Sequence, residues 1–520
     1  MIGSGFGGSV AALRLAEKGY RVCVLERGRR YEDGDLPRSA WDLRRFIWAP
    51  SVGLRGVMRN APFKHVFSSS QTGVGGGSLV YGGVLFRPQP AFYTDPQWQG
   101  LSDWERRLAP HYSEAERMLG ARPVPFDSIA LRLTREIGDR FDAAETFERA
   151  PVGVFFGEAG RTVPDPYFGG DGPERTGCIR CGSCLVGCRF GAANTLMKNY
   201  LWFAERRGVE ILPEREAIDV APLGSPDGSD GYRVTSRRPG AGLGRDQRVL
   251  TTGGVVFAGG AVGTNTLLSQ CKLRGSLPQI SDRLGRLVRT NSEAVLAVTF
   301  PRDIGSWEDV AASSRVIVDG DNQIEFLTYG RDADMMGAFF TLIAGSERRT
   351  ERLLKWLGNV ARRPRRALSS LRVRGWSRRS LMMLVMQPRD NAISFTARKR
   401  WTGGYKMKSE ADPERPTPTF IDTGHRVAAW VAARTGGVAQ SSVFEVFGDR
   451  PMTAHVVGGA VIGETAAEGV VDGDLAVFGY ENLLVTDAAA LPANPGVNPA
   501  LTITALAEHA LVQVPAADAR

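Results

Sequence analysis

Four of the six cysteines in this chain fall within eleven positions: Cys178, Cys181, Cys184 and Cys188. Their spacing, C-x2-C-x2-C-x3-C, is that of the bacterial iron–sulfur run, with Arg189 where a proline is usual. Thiolates this close can hold a [4Fe-4S] cluster, and Gly177, Gly182 and Gly187 beside them would let backbone amides turn toward its sulfurs. Cys188 is the ligand the pattern fixes least, because in two-cluster proteins the fourth cysteine serves the other cluster. Two other chemistries suit the same residues. One is reduced thiols or disulfides; the other is zinc, although structural zinc usually takes two well-separated knuckles. A second signature lies at the amino end. In Gly3-Ser4-Gly5-Phe6-Gly7-Gly8, the glycines at 3, 5 and 8 read G-x-G-x-x-G. The first permits a tight turn, the second lets backbone approach a pyrophosphate, and the third packs helix on strand. Glu26 stands 18 residues after Gly8, where an acid can accept bonds from a ribose diol. The competing reading is a glycine turn without a ligand. Proton transfer near neutral pH suits histidine, and the chain has five: His65, His111, His425, His455 and His509.

Elements must position these groups. After the turn, Val10, Leu13, Leu15 and Ala16 give Ser9 to Lys18 helical spacing, and Gly19 suits the helix end. Tyr20 to Leu25 reads as an apolar strand ending at Glu26. Only Met1-Ile2 precede the turn, where an inner strand is expected; the reading is that this strand starts upstream and that the chain as written binds its nucleotide poorly. Residues 38–65 look irregular, 100–121 helical, and 151–199 a cysteine-bearing loop. Residues 209–251 read as three strands, and 255–268 as strand, glycine turn and helix. Alternating strands fill 290–345, and an apolar helix begins at Pro499. Cys23 belongs to a core strand, and Cys271 has no assigned role.

The 520 residues carry a net charge of +9. The excess is local: 347–379 contains twelve Lys/Arg and two Glu, net +10, so the rest sums to −1. A nucleic-acid binder usually spreads such charge over a fold or an arm, so nucleic acid is not an expected partner. Within this segment Leu353, Leu357, Val360, Ala361, Leu368 and Leu371 fall close to one helical face, interrupted at Pro364. That is a basic amphipathic pattern suited to an anionic membrane surface, or else a solvated face packed on the protein. No leader-like start and no apolar run of 18 residues is seen, so the expected location is cytoplasmic, with membrane association through the basic segment.

Three further stretches carry a family resemblance. They are Gly73-Val74-Gly75-Gly76-Gly77-Ser78, His455-Val456-Val457-Gly458-Gly459, and Leu484-Val485-Thr486-Asp487 leading to Gly496-Val497-Asn498-Pro499. With the first turn, the chain resembles the glucose–methanol–choline (GMC) oxidoreductase family. Within it the chain is most similar to the cholesterol-oxidase-like branch of mycobacterial type. The resemblance implies FAD, with its diphosphate on the Gly3, Gly5, Phe6 and Gly8 turn and its ribose at Glu26. The loop Gly73, Gly75, Gly76, Gly77 and Ser78 would run beside the diphosphate and flavin. Val255 to Gly260 would close over the cofactor, and Asp487, Asn498 and Pro499 would sit near the ribityl chain and ring. It implies His455 as catalytic acid/base and Asn498 as its partner on the substrate oxygen. The alternatives are a core imidazole for His455 and a helix cap for Asn498. The chain departs from the family at Val456-Val457, which replace Pro-Leu, and at Tyr81, where asparagine is frequent. The glutamate that isomerises the product in cholesterol oxidases has no clear place here; Glu325 and Glu445 remain as candidates.

The expected fold is an α/β FAD-binding, Rossmann-like, discontinuous domain plus an α+β substrate domain on an antiparallel sheet. The expected division is 1–37, 66–100, 200–290 and 450–520 for FAD, and 38–65, 101–199 and 291–449 for substrate. The expected function is FAD-dependent oxidation of a secondary alcohol, a sterol 3β-hydroxyl, with electrons passing to oxygen or a one-electron acceptor. The rivals are a GMC dehydrogenase for another apolar alcohol using an iron–sulfur relay, and a non-catalytic electron-transfer or binding protein.

Overall fold

The computed structural model describes residues 1–240, 246–370, 372–401 and 404–519. Two sheets of opposite character organise it. The first is parallel, in the order Glu210–Leu212, Cys23–Leu25, Ile2, Val255–Phe257, Leu483–Val485. These strands are short and apolar, as strands covered on both faces must be. The inner position is held by Met1 to Gly3 alone. Ile2 N donates to Val256 O at 2.9 Å, Gly3 N to Leu25 O at 2.8 Å, and the amides of Leu25 and Ala258 donate back to Met1 O and Ile2 O, both at 2.8 Å.

Helix Phe6–Glu17 leaves this strand through the glycine turn. A Cβ on Gly8 would lie 2.3 Å from the Gly3 carbonyl oxygen, and Gly3 itself has φ +103, so glycine is required for the turn to fold back on itself. The terminal helix Ala500–Gln513 is mostly apolar and buried from Ala500 to Leu511. It packs against Phe6–Glu17 and Trp104–Leu119. Its buried acid, Glu508, is satisfied by Arg14 Nε at 2.7 Å and the Tyr200 hydroxyl at 2.6 Å.

The second sheet is antiparallel and seven-stranded, in the order Phe340–Leu342, Val438–Ser442, Ala294–Thr299, Ser380–Met386, Asn322–Leu327, Ser314–Val318, Glu148–Arg149. Alternation sends Leu296, Val298, Ile324, Phe326, Met383 and Val385 to one face, under helices Ile129–Arg140 and Asp422–Thr435. Val295, Ala297, Met382, Leu384 and Met386 take the other face. Those two covering helices escape the sequence reading, although Ser128 caps the first with its hydroxyl on Leu131 N. Between 209 and 252 the described residues form four strands. Glu210–Leu212 joins the parallel sheet, while Glu216–Pro222, Tyr232–Arg237 and Gln247–Thr252 form an antiparallel sheet of their own. Among the described residues no helix is long and apolar enough to cross a membrane.

The glycine turn yields a contrast. A Cβ on Gly5 would meet nothing within 4 Å, whereas one on Gly8 would strike backbone. Gly8→Ala is expected to lower stability by about 1–3 kcal/mol through overpacking, and Gly5→Ala to leave it nearly unchanged. Thermal unfolding of the two variants without added nucleotide checks this; equal midpoints would refute the packing argument.

Candidate functional site

Between the two sheets lies a cavity of about 490 Å³. Its wall takes in Gly3, Gly5, Phe6 and Glu26 from the first turn, Gly76 and Gly77 from the second glycine loop, and Asp487, Asn498, Pro499 and His455 from the last seventy residues. The two glycine loops meet at backbone distance: a Cβ on Gly76, whose φ is +50, would lie 2.8 Å from Gly5 Cα. Gly8, Gly73, Gly75 and Ser78 stand behind the wall. Ser78 is a brace, its hydroxyl donating to Gly75 O at 2.7 Å and accepting from Leu196 N at 3.0 Å. Glu26 is buried and gathers the turn: it accepts from the Ser4 hydroxyl at 2.7 Å and from Gly28 N at 2.8 Å. Asp487 accepts from Gly260 N at 2.7 Å, Thr264 Oγ1 at 2.5 Å and Ala489 N at 2.8 Å. Burial lifts its pKa to about 6.

His455 lines the same cavity with its ring anchored. Glu293 Oε2 accepts from Thr453 Oγ1 at 2.7 Å and lies 2.9 Å from His455 Nδ1. That oxygen is an acceptor, so Nδ1 carries the hydrogen and Nε2 is the basic nitrogen of the neutral ring. Burial opposes charging of the ring, but Glu293 and then Glu325 outweigh it, and the His455 pKa lies above its ordinary value. Asn498 is buried, and its Oδ1 has no hydrogen-bond partner among the described residues. The Tyr81 hydroxyl is likewise unpartnered, with its ring edge-on to Phe6 at 5.3 Å.

Glu293 escapes sequence reasoning because it lies 162 residues from His455 and in no motif. The local backbone is the one signal it leaves. Asn291 and Ser292, just before it, have φ of +61 and +44, a rare conformation for non-glycine residues. The Asn291 side chain holds the Asn498 loop, donating to Val497 O at 3.0 Å and accepting from Gly496 N at 2.9 Å. Of the two glutamates left open, Glu445 is elsewhere, 2.8 Å from His425 Nε2. Glu325 is fully buried in the antiparallel sheet, its Oε2 unpartnered and its pKa pushed up to about 7 by burial, with His455 acting against the shift.

The residues present fit an elongated dinucleotide. Space opens over Gly5, and Asn498 Oδ1 lacks a partner. The cavity also holds more positive charge than it pairs. Arg27 and Arg59 both line it, Arg27 Nε has no partner, and the charge of Arg27, then burial, brings Arg59 down to about 9. Two crowded guanidiniums are relieved by an anion such as a diphosphate. Neither arginine belongs to a motif, so both go unread in the sequence.

The cysteine loop takes a different course from the expected cluster. Cys178, Cys184 and Cys188 pack beside Phe126, Phe156 and Val497, and all six cysteines of the chain are free. Burial pushes the Cys178 thiol to about 11 and the Cys184 thiol far above its ordinary value. Among the described residues no three His, Cys, Asp or Glu side chains converge on a metal-holding position. The side chains as they stand therefore do not fit an iron–sulfur cluster, and free thiols are the reading the geometry supports. The loop nonetheless reaches the site, because Leu185 lines the cavity.

Comparison with known proteins follows these lines. A family model described as GMC oxidoreductase matches residues 429–507, and one described as an NAD(P)-binding Rossmann-like domain matches residues 1–31. The chain is 43% identical over 523 residues to a cholesterol oxidase of Mycobacterium tuberculosis, covering 98% of this chain and 89% of that one. It is 39% identical to a cholesterol oxidase of Acinetobacter baumannii, covering 99% and 94%. Among solved structures, pyridoxine 4-oxidase from Mesorbium loti superposes with a TM-score of 0.62 at 14% identity, covering 98% of each chain, a likeness of fold. The fold is thus an FAD-binding Rossmann-like domain joined to an α+β domain with an antiparallel sheet. With 43% identity across nearly all of its length, the chain belongs to the GMC oxidoreductase family and is an FAD-dependent alcohol oxidoreductase.

Proposed function

We propose that this protein oxidises the 3β-hydroxyl of a sterol or sterol-like secondary alcohol and passes the electrons to oxygen, working in the cytoplasm. The observation that carries the proposal is the anchored imidazole: His455 presents Nε2 to the same cavity as Asn498, with Glu293 fixing its other nitrogen. Two relatives bear the name cholesterol oxidase. The cavity's other wall supports an apolar substrate, since Leu327, Met335, Phe339, Met382 and Leu384 line it; methionine-rich walls adapt to rigid, irregular shapes. In this reading 1–37, 66–100, 200–290 and 450–520 hold the cofactor, and 38–65, 101–199 and 291–449 hold the substrate, apart from Arg59, which reaches from 38–65 to the cofactor side of the cavity.

FAD, when bound, supplies a two-electron acceptor for the carbinol hydride. Gly3, Gly5, Gly76 and Gly77 would hold it with Arg27 and Arg59 near its anionic part, Glu26 at its ribose, and Asp487 and Pro499 near the ring. The chain's own work is on the proton. His455 Nε2 takes the hydroxyl proton, Glu293 steadies the imidazolium that forms, and Asn498 bonds the substrate oxygen and fixes its direction. Glu325, its pKa pushed up to about 7 by burial, lies close enough to His455 for the two charges to influence each other.

His455→Ala is expected to keep FAD but slow anaerobic flavin reduction by a sterol by roughly 10²–10⁴; an unchanged rate returns His455 to a structural role. The neutral ring is the base, so reduction should speed up as pH rises through a pKa above 6.5. In Glu293→Gln the Coulombic support for the imidazolium is lost, the His455 pKa falls, and the inflexion moves to lower pH. An inflexion that stays in place would separate Glu293 from proton transfer.

The cysteine spacing favours a second reading, a dehydrogenase that relays single electrons through a cluster. Metal analysis decides between the two. Protein purified without oxygen is expected to hold FAD without iron or acid-labile sulfide, and Cys181→Ser to leave turnover with oxygen unchanged. Iron with equivalent sulfide, lost in Cys181→Ser, would establish the dehydrogenase.

A further inference from the structure

Helix Arg349–Arg362 is built inside out. At 3.6 residues per turn, the stripe facing the protein is Arg352, Trp356 and Asn359. Arg352 is fully buried, donating to Ser346 O at 2.9 Å and Glu445 O at 2.5 Å. Trp356 Nε1 donates to Thr341 Oγ1 and Asn359 Nδ2 to Ile343 O, each at 2.9 Å. The opposite stripe is Leu354, Leu357 and Ala361. Leu354 is 69% exposed and Leu357 55%, and Leu368 in the next helix, Pro364–Ser370, is 70% exposed. A surface helix normally buries its leucines and shows its polar residues; here polar groups hold the helix to the fold and leucines face out. The sequence expectation of one apolar face is corrected accordingly: Leu353 and Val360 are half-buried on a flank, and Leu371 lies outside the described residues.

Cations surround these leucines. Lys355, Arg362, Arg363 and Arg365 are exposed, and the segment 347–379 carries the net +10 noted above. Exposed leucines bordered by arginine and lysine suit the boundary between anionic headgroups and acyl chains, with long basic side chains reaching back to the headgroups. The patch also adjoins the cavity's aromatic wall. Trp356 packs 5.1 Å from Phe447, and Phe444 stacks at 5.8 Å on Phe339, which lines the cavity.

We propose that helices Arg349–Arg362 and Pro364–Ser370 form a docking face for an anionic lipid bilayer. Leu354, Leu357 and Leu368 enter the acyl boundary, and Arg362, Arg363 and Arg365 sit on the headgroups. The face stands independently of the sterol assignment, because binding needs no turnover. The test is co-sedimentation of the full FAD-loaded chain with phosphatidylcholine vesicles, with and without phosphatidylglycerol. The expected result is preference for the anionic vesicles, lost near molar salt, where the screening length falls to about 3 Å. Leu354→Ser with Leu357→Ser should weaken binding about tenfold, as should Arg362→Glu with Arg365→Glu. Neither pair should shift the unfolding midpoint, since these side chains face water. Equal binding to neutral and anionic vesicles overturns the proposal. Undiminished binding of the leucine pair also overturns it, since contact with an acidic protein or nucleic acid needs only the charges.

Discussion

The hydrogen bond between Glu293 and His455 Nδ1 is the contact on which the site depends. It joins the antiparallel sheet, whose inner strand Ala294–Thr299 begins just after Glu293, to the carboxy-terminal segment that carries His455. Without it the imidazole could adopt either tautomer and turn away from the cavity. With it, one nitrogen is committed to the protein and the other to the substrate. The left-handed pair Asn291–Ser292 aims Glu293 into place, and the Asn291 side chain clasps the backbone before Asn498. A single turn therefore sets the base and the asparagine together, and the backbone strain there is held by buried hydrogen bonds on both sides.

What was legible in the sequence was local. The glycine turn needs Gly3 and Gly8 for reasons a few residues wide, and its helix, strand and terminal acid follow within 26 positions. The terminal helix announced itself by its run of apolar residues after Pro499. His455 and Asn498 were found through short motifs, which the cavity brings together. Glu293, Arg27 and Arg59 were not found, because each matters through a neighbour supplied by tertiary folding. The cysteine run is legible only in part for the complementary reason: spacing sets which thiols can converge, whereas packing against Phe126, Phe156 and Val497 shapes where they sit. Helix Arg349–Arg362 shows the same limit, since a periodic pattern identifies two faces but not which one the protein keeps.

The cavity is chemically divided. Part of its lining is backbone, buried acids and crowded guanidiniums; another part is methionine, leucine and phenylalanine, several of them from the antiparallel sheet. The first needs an anion and the second an apolar body, and the anchored histidine belongs to the wall they share. Substrate preference can thus change through the second wall while the first keeps the same cofactor.

The parallel sheet also constrains the birth of the molecule. Its five members come from Ile2, Cys23–Leu25, Glu210–Leu212, Val255–Phe257 and Leu483–Val485. The ribosome exposes the first of them hundreds of residues before the last, and helix Phe6–Glu17 waits for the terminal helix to cover it. The amino-terminal segment therefore cannot mature during synthesis. Its early strands can pair with one another once Phe257 has emerged, but the helix stays uncovered until the final residues emerge, and that interval is when chaperones have most to protect.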